Sequence, residues 1–176
     1  MSDATIRLRS LLPAAALATL GLLAAQLPSR PARAQEPVVG AADPDALFHS
    51  RNPRLNANMQ VAYHIEKDLL EAGHWELADR YLSARYLQHN PNVISGLAPV
   101  VRYFTQTLKV QPKPIPEKIG IPVVAVLAQG DLVIVVTPRT YKDPRDPART
   151  YTTTWFDMWR IRNGKADEHW DCATRM

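Results

Sequence analysis

The sequence lacks several features that identify common protein classes. Cys172 is its only cysteine, so an intrachain disulfide is excluded and the fold must depend on its core. It has no glycine-rich phosphate loop and no Gly-x-Ser-x-Gly sequence, which removes the usual evidence for nucleotide chemistry and for a serine nucleophile. Internal repeats and low-complexity tracts are also absent from the 176 residues.

The chain also lacks the basic excess that is typical of nucleic-acid binding. Four of the 21 basic residues and one of the 17 acidic residues lie before residue 35, which leaves 17 and 16 in the remainder. No basic stripe interleaved with aromatic residues occurs there. We therefore expect no nucleic-acid partner.

Residues 1–34 are typical of a signal peptide. Two arginines precede an apolar run of 17 residues, and Ala-Arg-Ala at residues 32–34 is a small-residue cleavage site. Cleavage between Ala34 and Gln35 is predicted, with a periplasmic or secreted product. The alternative is a retained membrane anchor, since 17 residues is at the lower limit of what spans a bilayer.

The first half of the remaining chain is predicted to be helical. Residues 35–54 contain three prolines and no clear period, which indicates a flexible linker before a single domain at residues 55–176. Apolar residues spaced three or four apart then predict helices over about 55–72, 75–87 and 97–110.

The second half is predicted to be strands. Two β-branched runs flank Gln129-Gly130, a polar loop with three prolines follows at residues 138–150, and two more strands flank Asn163-Gly164. Helices followed by antiparallel strands favour the α+β class.

Polar and aromatic side chains are concentrated in the last predicted hairpin. They are Trp155, Asp157, Trp159, Asp167, Glu168, His169, Trp170 and Asp171. A carboxylate among indole rings is poorly solvated, which suits a general base. The alternative is a wet outer sheet face with tryptophans at a dimer interface.

The register of this hairpin decides which side chains can meet. A two-residue turn places Asp157 opposite Trp170 and on the other face from Asp171. A three-residue loop with a bulge places Asp157 opposite Asp171, and Trp159 opposite His169. Both registers remain open at this point.

A second group of candidates lies at His89-Asn90-Pro91, where the proline ends the predicted second helix. The alternative role for Asn90-Pro91 is a turn initiator, and for His89 a surface histidine. A metal site from His89, His169 and Asp171 lacks any supporting pair of ligands at helical spacing, so no metal is predicted.

Three stretches of this chain resemble the SnoaL-like group, relatives of polyketide cyclases in the superfamily of nuclear transport factor 2. They are "YLSARYLQHNPNVISGLAPVVRYF", "VLAQGDLVIVVT" and "FDMWRIRNGKADEHWD", within about residues 55–173. The resemblance implies a cone formed by a curved antiparallel sheet on three helices, with one deep and mostly apolar cavity. It also favours the bulged register, with Asp157 and Asp171 in that cavity beside Trp159 and His169.

The resemblance further implies cofactor-free chemistry next to a carbonyl group, with Asp171 as the general base. Aldol cyclisation, isomerisation and dehydration are the reactions expected of a small apolar carbonyl compound. His89 is expected to approach Asp171 from the helix side, and Asp157 stands where the characterised cyclases have a histidine. The predicted catalytic residues are Asp171, Asp157, His169 and His89, and the predicted substrate-binding residues are Trp159, Asn90, Tyr86, Phe104 and Trp155.

Two functional hypotheses from different classes follow. The domain is either such an enzyme or a periplasmic module that binds a small molecule without changing it, because a fold does not determine a function. A homodimer through the open face of the sheet is also predicted, with Trp170 pointing to that face. A membrane partner is expected only if the signal is not cleaved.

Overall fold

The computed structural model describes residues 35–175, and the predicted signal peptide lies outside them. Helical segments and one five-stranded sheet form this part of the chain, which confirms the α+β class. One strand precedes the last helix, and the strand order, numbered along the chain, is β1-β5-β4-β3-β2. The helices are α1 (Pro53–His64), α2 (Ala78–Tyr81) and α3 (Leu97–Arg102), with π-helical turns at Ile65–Glu71 and Tyr103–Thr107 and 3-10 turns at Asp45–Phe48 and Trp75–Leu77. The strands are β1 (Leu82–Gln88), β2 (Ala125–Gln129), β3 (Leu132–Lys142), β4 (Thr150–Arg162) and β5 (Lys165–Trp170).

Helix α1 begins where its sequence provides a cap. The Asn52 side chain accepts hydrogen bonds from the backbone N–H groups of Arg54 and Leu55 at 3.0 and 3.2 Å, and a proline occupies the first helical position. The π-helical turn then continues α1 to Glu71. Gly73 follows with a φ of +79°, and a Cβ there would lie 2.8 Å from a Val110 methyl group, so glycine is required at this exit.

The second predicted helix is wrong beyond Tyr81. Residues 82–88 form β1, which pairs in parallel with β5 and makes the sheet mixed. The pairing shifts between Leu82 and Leu87, and Leu82 and Tyr86, four residues apart, are both buried. A four-residue spacing of buried side chains in an irregular strand imitates the period of a helix.

The last hairpin combines a tight turn with a bulge. Arg162 pairs with Lys165, so Asn163-Gly164 is a two-residue turn, and both residues have positive φ as a type I′ turn requires. Arg160 pairs with Glu168 and Ile161 with Ala166, which leaves Asp167 as an extra, unpaired residue in β5. Trp159 therefore pairs with His169, as the bulged register predicted, although the extra residue lies in the strand and not in the turn.

The bulge is held by an ion pair with β1. Asp167 accepts hydrogen bonds from the Ser83 hydroxyl at 2.8 Å and from Arg85 Nε at 2.9 Å. The hydrogen bonds from Arg85 keep the pKa of Asp167 below its usual value, so this carboxylate is charged at neutral pH. Asp167 lines neither cavity of the domain. Its carboxylate oxygens accept hydrogen bonds from the edge strand β1 instead.

Alternation along β4 separates two faces of the sheet. Asp157, Trp159 and Ile161 are buried on the inner face, whereas Phe156 and Met158 lie on the outer face. The inner face packs against the helical segments and forms the core with them. The candidate functional site lies on this inner face.

The segment predicted as a flexible linker lies along the domain. Phe48 is fully buried and packs edge-on against Tyr63, and the backbone N–H of Val38 donates to the Thr152 hydroxyl at 2.7 Å. This segment has no apolar period because Phe48, its only Phe, Trp or Tyr residue, is also its only fully buried side chain. Within residues 35–175, no helix is both long and apolar enough to cross a membrane.

Candidate functional site

A cavity of about 340 Å³ lies between the inner face of the sheet and the helical segments. Eight of the nine predicted site residues line it, and His89 is the exception. Its wall also includes Gln88 and Arg139, which the sequence analysis missed. Aromatic rings cover much of the interior, so polar groups there act in a partly dry environment.

One wall of the cavity holds a hydrogen-bonded chain of Asp157, His169 and Gln88. His169 Nε2 lies 3.0 Å from an Asp157 oxygen, and His169 Nδ1 lies 2.6 Å from Gln88 Oε1. Gln88 Oε1 also accepts the backbone N–H of Asn90 at 3.1 Å, which identifies it as the oxygen of the amide. His169 Nδ1 must therefore donate to Gln88.

This assignment determines where a mobile proton can lie. Because Nδ1 of His169 keeps its proton, Nε2 faces Asp157 with one proton between them, carried by the imidazole or by the carboxyl group. Both side chains are buried, at 6% and 7% exposure. The pair can give up or take back a proton without separating charge over a long distance.

Asp171 lies beside this chain as an acceptor, with an oxygen within 4.8 Å of polar atoms of Asp157 and His169. Its Oδ1 accepts the backbone N–H of Ala173 at 2.9 Å, and its Oδ2 accepts Asn90 Nδ2 at 2.6 Å. The Asn90 amide is oriented because its own oxygen accepts the backbone N–H of Asn92. Two donors fit the carboxylate form of Asp171, which is the form that can act as a base.

Tyr86 places a phenol hydroxyl against the same cavity. Its oxygen accepts Trp159 Nε1 at 3.1 Å, which leaves the hydroxyl proton to donate. Burial, aided by the charges of Asp157 and Asp171, raises the pKa of Tyr86, so it remains a neutral donor. A donor of this kind suits the oxygen of a bound carbonyl group.

His89 does not approach Asp171, which corrects the prediction. Its Nε2 lies 2.9 Å from a Glu168 oxygen, its ring stacks on Trp170 with centroids 5.0 Å apart, and its side chain is 46% exposed. The physical reason is that strand β1 continues to Gln88, so successive side chains alternate in direction. Gln88 faces the cavity, and His89 faces the other side.

The three side chains Asp157, His169 and Asp171 also meet a spacing criterion for a cation. One possible ligand atom from each lies within 4.8 Å of the others. This spacing follows from the hydrogen-bonded arrangement itself, and the alternative ligand set of His89, His169 and Asp171, from which no metal was predicted, is not assembled. Addition of a chelator distinguishes a metal-binding role of these residues from a role that needs no metal.

The SnoaL-like domain family matches residues 61–169, which is more than half of the chain. The chain belongs to the SnoaL-like domain family. The match includes Tyr86, Gln88, Asn90, Asp157 and His169, and Asp171 lies two positions beyond it.

Several solved structures are similar to this SnoaL-like chain. A candidate polyketide cyclase from Acidithiobacillus ferrooxidans has a TM-score of 0.50 at 13% identity, over 70% of this chain and 89% of that chain. A candidate SnoaL-like polyketide cyclase from Jannaschia sp. CCS1 has a TM-score of 0.49 at 13% identity, over 70% and 91%. A cystatin-like protein of unknown function from Xanthomonas campestris has a TM-score of 0.47 at 18% identity, over 65% and 88%. A comparison with curated proteins gives no match.

Proposed function

We propose that this SnoaL-like domain catalyses proton transfer next to a carbonyl group of a small, largely apolar molecule. The observation that carries the proposal is the presence of two adjacent hydrogen-bonded systems in one cavity. Asp171 accepts hydrogen bonds at both oxygens, and the Asp157–His169 pair holds one mobile proton. A base and an acid facing the same space are what enolisation requires.

Each polar group has a role in this scheme. Asp171 removes a proton from the carbon next to the carbonyl group, and Tyr86 donates a hydrogen bond to the oxygen as negative charge develops there. The Asp157–His169 pair returns a proton to the enolate. The proton taken up by Asp171 then passes to the pair, whose polar atoms lie within 4.8 Å of Asp171, and this restores the starting state. The same first step begins isomerisation, dehydration and aldol ring closure, which are the reactions that the resemblance implies.

The surrounding side chains define the substrate class. Trp155, Trp159 and Phe104 line the cavity with apolar surface, and Trp159 is 1% exposed. A molecule that fits is uncharged over most of its surface and carries at least one carbonyl group. No organic cofactor or metal has a role in the proposal.

The experiment measures exchange of carbon-bound hydrogen. The protein is incubated in heavy water with a panel of small apolar ketones and with a cell extract, and deuterium uptake and conversion are followed by mass spectrometry. We expect exchange at the carbon next to the carbonyl group, at a rate that a chelator does not change. Ligands retained without exchange or conversion would identify a binding module, and loss of exchange after chelation would identify a metal site.

We further propose export of the domain, on the basis of the charged, apolar and small-residue segments within residues 1–34. Expression in a bacterial host should give a periplasmic product whose intact mass corresponds to a first residue of Gln35. Full-length protein in the membrane fraction would instead indicate the retained anchor.

The outer face of the sheet is the proposed surface of a homodimer. Leu127 and Phe156 are 55% and 44% exposed there, and the partly buried Ile134, Met158 and Trp170 extend the same apolar face. Light scattering should give twice the mass of one chain, and Phe156→Glu should give the mass of one chain. A wild-type protein that stays monomeric at high concentration would contradict this.

A further inference from the structure

A second cavity of about 350 Å³ lies beside the first. The two cavities share four wall residues, Leu70, Phe104, Arg139 and Asp157. Thr137 and Glu66 line the second cavity but not the first. A molecule that extends past Asp157 therefore meets a different set of polar groups.

Glu66 is the unusual residue of this second cavity. It lies in the π-helical turn that follows α1, is 3% exposed, and its Oε1 has no hydrogen-bond partner among the described residues. π-helical turns occur often at functional sites, because they change which side chains of a helix face inward. No role for Glu66 was predicted from the sequence.

The surroundings of Glu66 favour its neutral, protonated form. An ionised carboxylate without donors is costly to bury. Burial raises the pKa of Glu66 well above its usual value, the nearby charges of Asp157 and Glu71 add to this effect, and Arg139 opposes it. Glu71 has partners of its own, because both of its oxygens accept the backbone N–H of Gly120 at 3.0 and 3.1 Å. A carboxylic acid kept neutral in this way can donate a hydrogen bond.

We propose that the second cavity is a subsite for an uncharged oxygen-bearing group of the ligand, and that Glu66 binds this group through its carboxylic acid proton. The inference rests on the proposed function, because it places a first carbonyl group beside Asp171. The ligand then carries two oxygen functions on an apolar body, one in each cavity.

The wall carries charges of both signs, so any charged ligand group meets a like charge there as well as an opposite one. An anionic group would lie against Asp157 and Glu71, and a cationic group would lie against Arg139. An uncharged carbonyl or ester oxygen meets neither penalty and satisfies the donor that Glu66 provides. The residue acts as a binding and orienting group in the second cavity.

Matched probes test this subsite. Undecan-2-one carries one carbonyl group, and a series of undecanediones adds a second carbonyl group at increasing distance along the same chain. Affinities of the full-length protein for each probe are measured by titration calorimetry. We expect at least one dione to bind about tenfold more tightly than undecan-2-one, which corresponds to about 1.4 kcal/mol.

Two variants separate hydrogen bonding from shape. Glu66→Gln keeps an N–H donor of similar size and should preserve the preference for the dione. Glu66→Leu removes the donor and should reduce the preference to about onefold, which corresponds to no difference in binding free energy. Its affinity for undecan-2-one should be unchanged, and circular dichroism and thermal melting establish that both variants fold.

The outcomes distinguish this inference from the proposed function. If the wild type binds undecan-2-one and exchanges its protons but prefers none of the diones, the Glu66 subsite is wrong and the proposed function stands. A preference that survives in Glu66→Leu would also overturn the subsite. A protein that binds none of these probes would overturn both proposals.

Discussion

Replacing Asp171 by asparagine should lower the rate of proton exchange of a bound ketone by about 100-fold to 10,000-fold, the range that general base catalysis contributes. The amide has nearly the same shape, and its oxygen can still accept the backbone N–H of Ala173. It cannot take up a proton at neutral pH. The loss should therefore appear in the rate constant of the bound state, with little change in ligand affinity.

The measurement is deuterium uptake at saturating ketone, with affinity determined separately by titration calorimetry. Asp43→Asn is the matched control, because it removes an exposed carboxylate that lines neither cavity. This control should keep the wild-type rate, and circular dichroism should show the same fold for both variants. Exchange at the wild-type rate in Asp171→Asn would exclude Asp171 as the base.

Truncating Trp159 to alanine should cost about 3–5 kcal/mol of the free energy of unfolding, as is typical for a buried aromatic side chain. Trp159 is 1% exposed and is the largest of the fully buried side chains in the described structure. Its loss opens a hole beside His169, whose ring centroid lies 5.3 Å away, and removes the N–H that Tyr86 accepts. A domain stabilised by only about 5–15 kcal/mol would lose a large share of that stability.

Urea unfolding at fixed pH measures this change, and two variants calibrate it. Trp159→Phe keeps a ring in the core but loses the hydrogen bond, so its cost should be nearer the ~1 kcal/mol of one neutral hydrogen bond. Trp155→Ala removes a partly buried ring from the wall of the cavity and should cost less than Trp159→Ala. Equal losses for the two alanine variants would show that Trp159 is not the centre of the core.

The hairpin and the cavity wall were predictable because their signals are local. Asn163-Gly164 specifies a tight turn through its positive φ angles, and alternation along β4 places Asp157 and Trp159 on one face. The register beyond the turn was not predictable from alternation alone. The extra residue Asp167 is held by Ser83 and Arg85, which lie more than 80 residues earlier in the chain.

The incorrect predictions for β1 and His89 also depend on residues that are distant in the sequence. β1 was interpreted as helix because a parallel pairing with a distant strand leaves no turn signal beside it, and this error reversed the direction expected for His89. Gln88 was missed because its role depends on that strand direction. Glu66 was missed because an acidic residue in a helix is ordinarily solvated, and only the wider π-helical turn places it inward.

The unpaired residue Asp167 in β5 determines the direction of the polar side chains that follow it. A strand has only two faces, so the exclusion of Asp167 from the pairing determines which face His169 and Asp171 occupy. If Asp167 were paired with Arg160 in a regular strand, Glu168 would pair with Trp159, and His169 and Asp171 would turn toward the opposite face. The contacts of Ser83 and Arg85 with Asp167, made by a strand more than 80 residues earlier, therefore determine whether the acid and the base face the cavity.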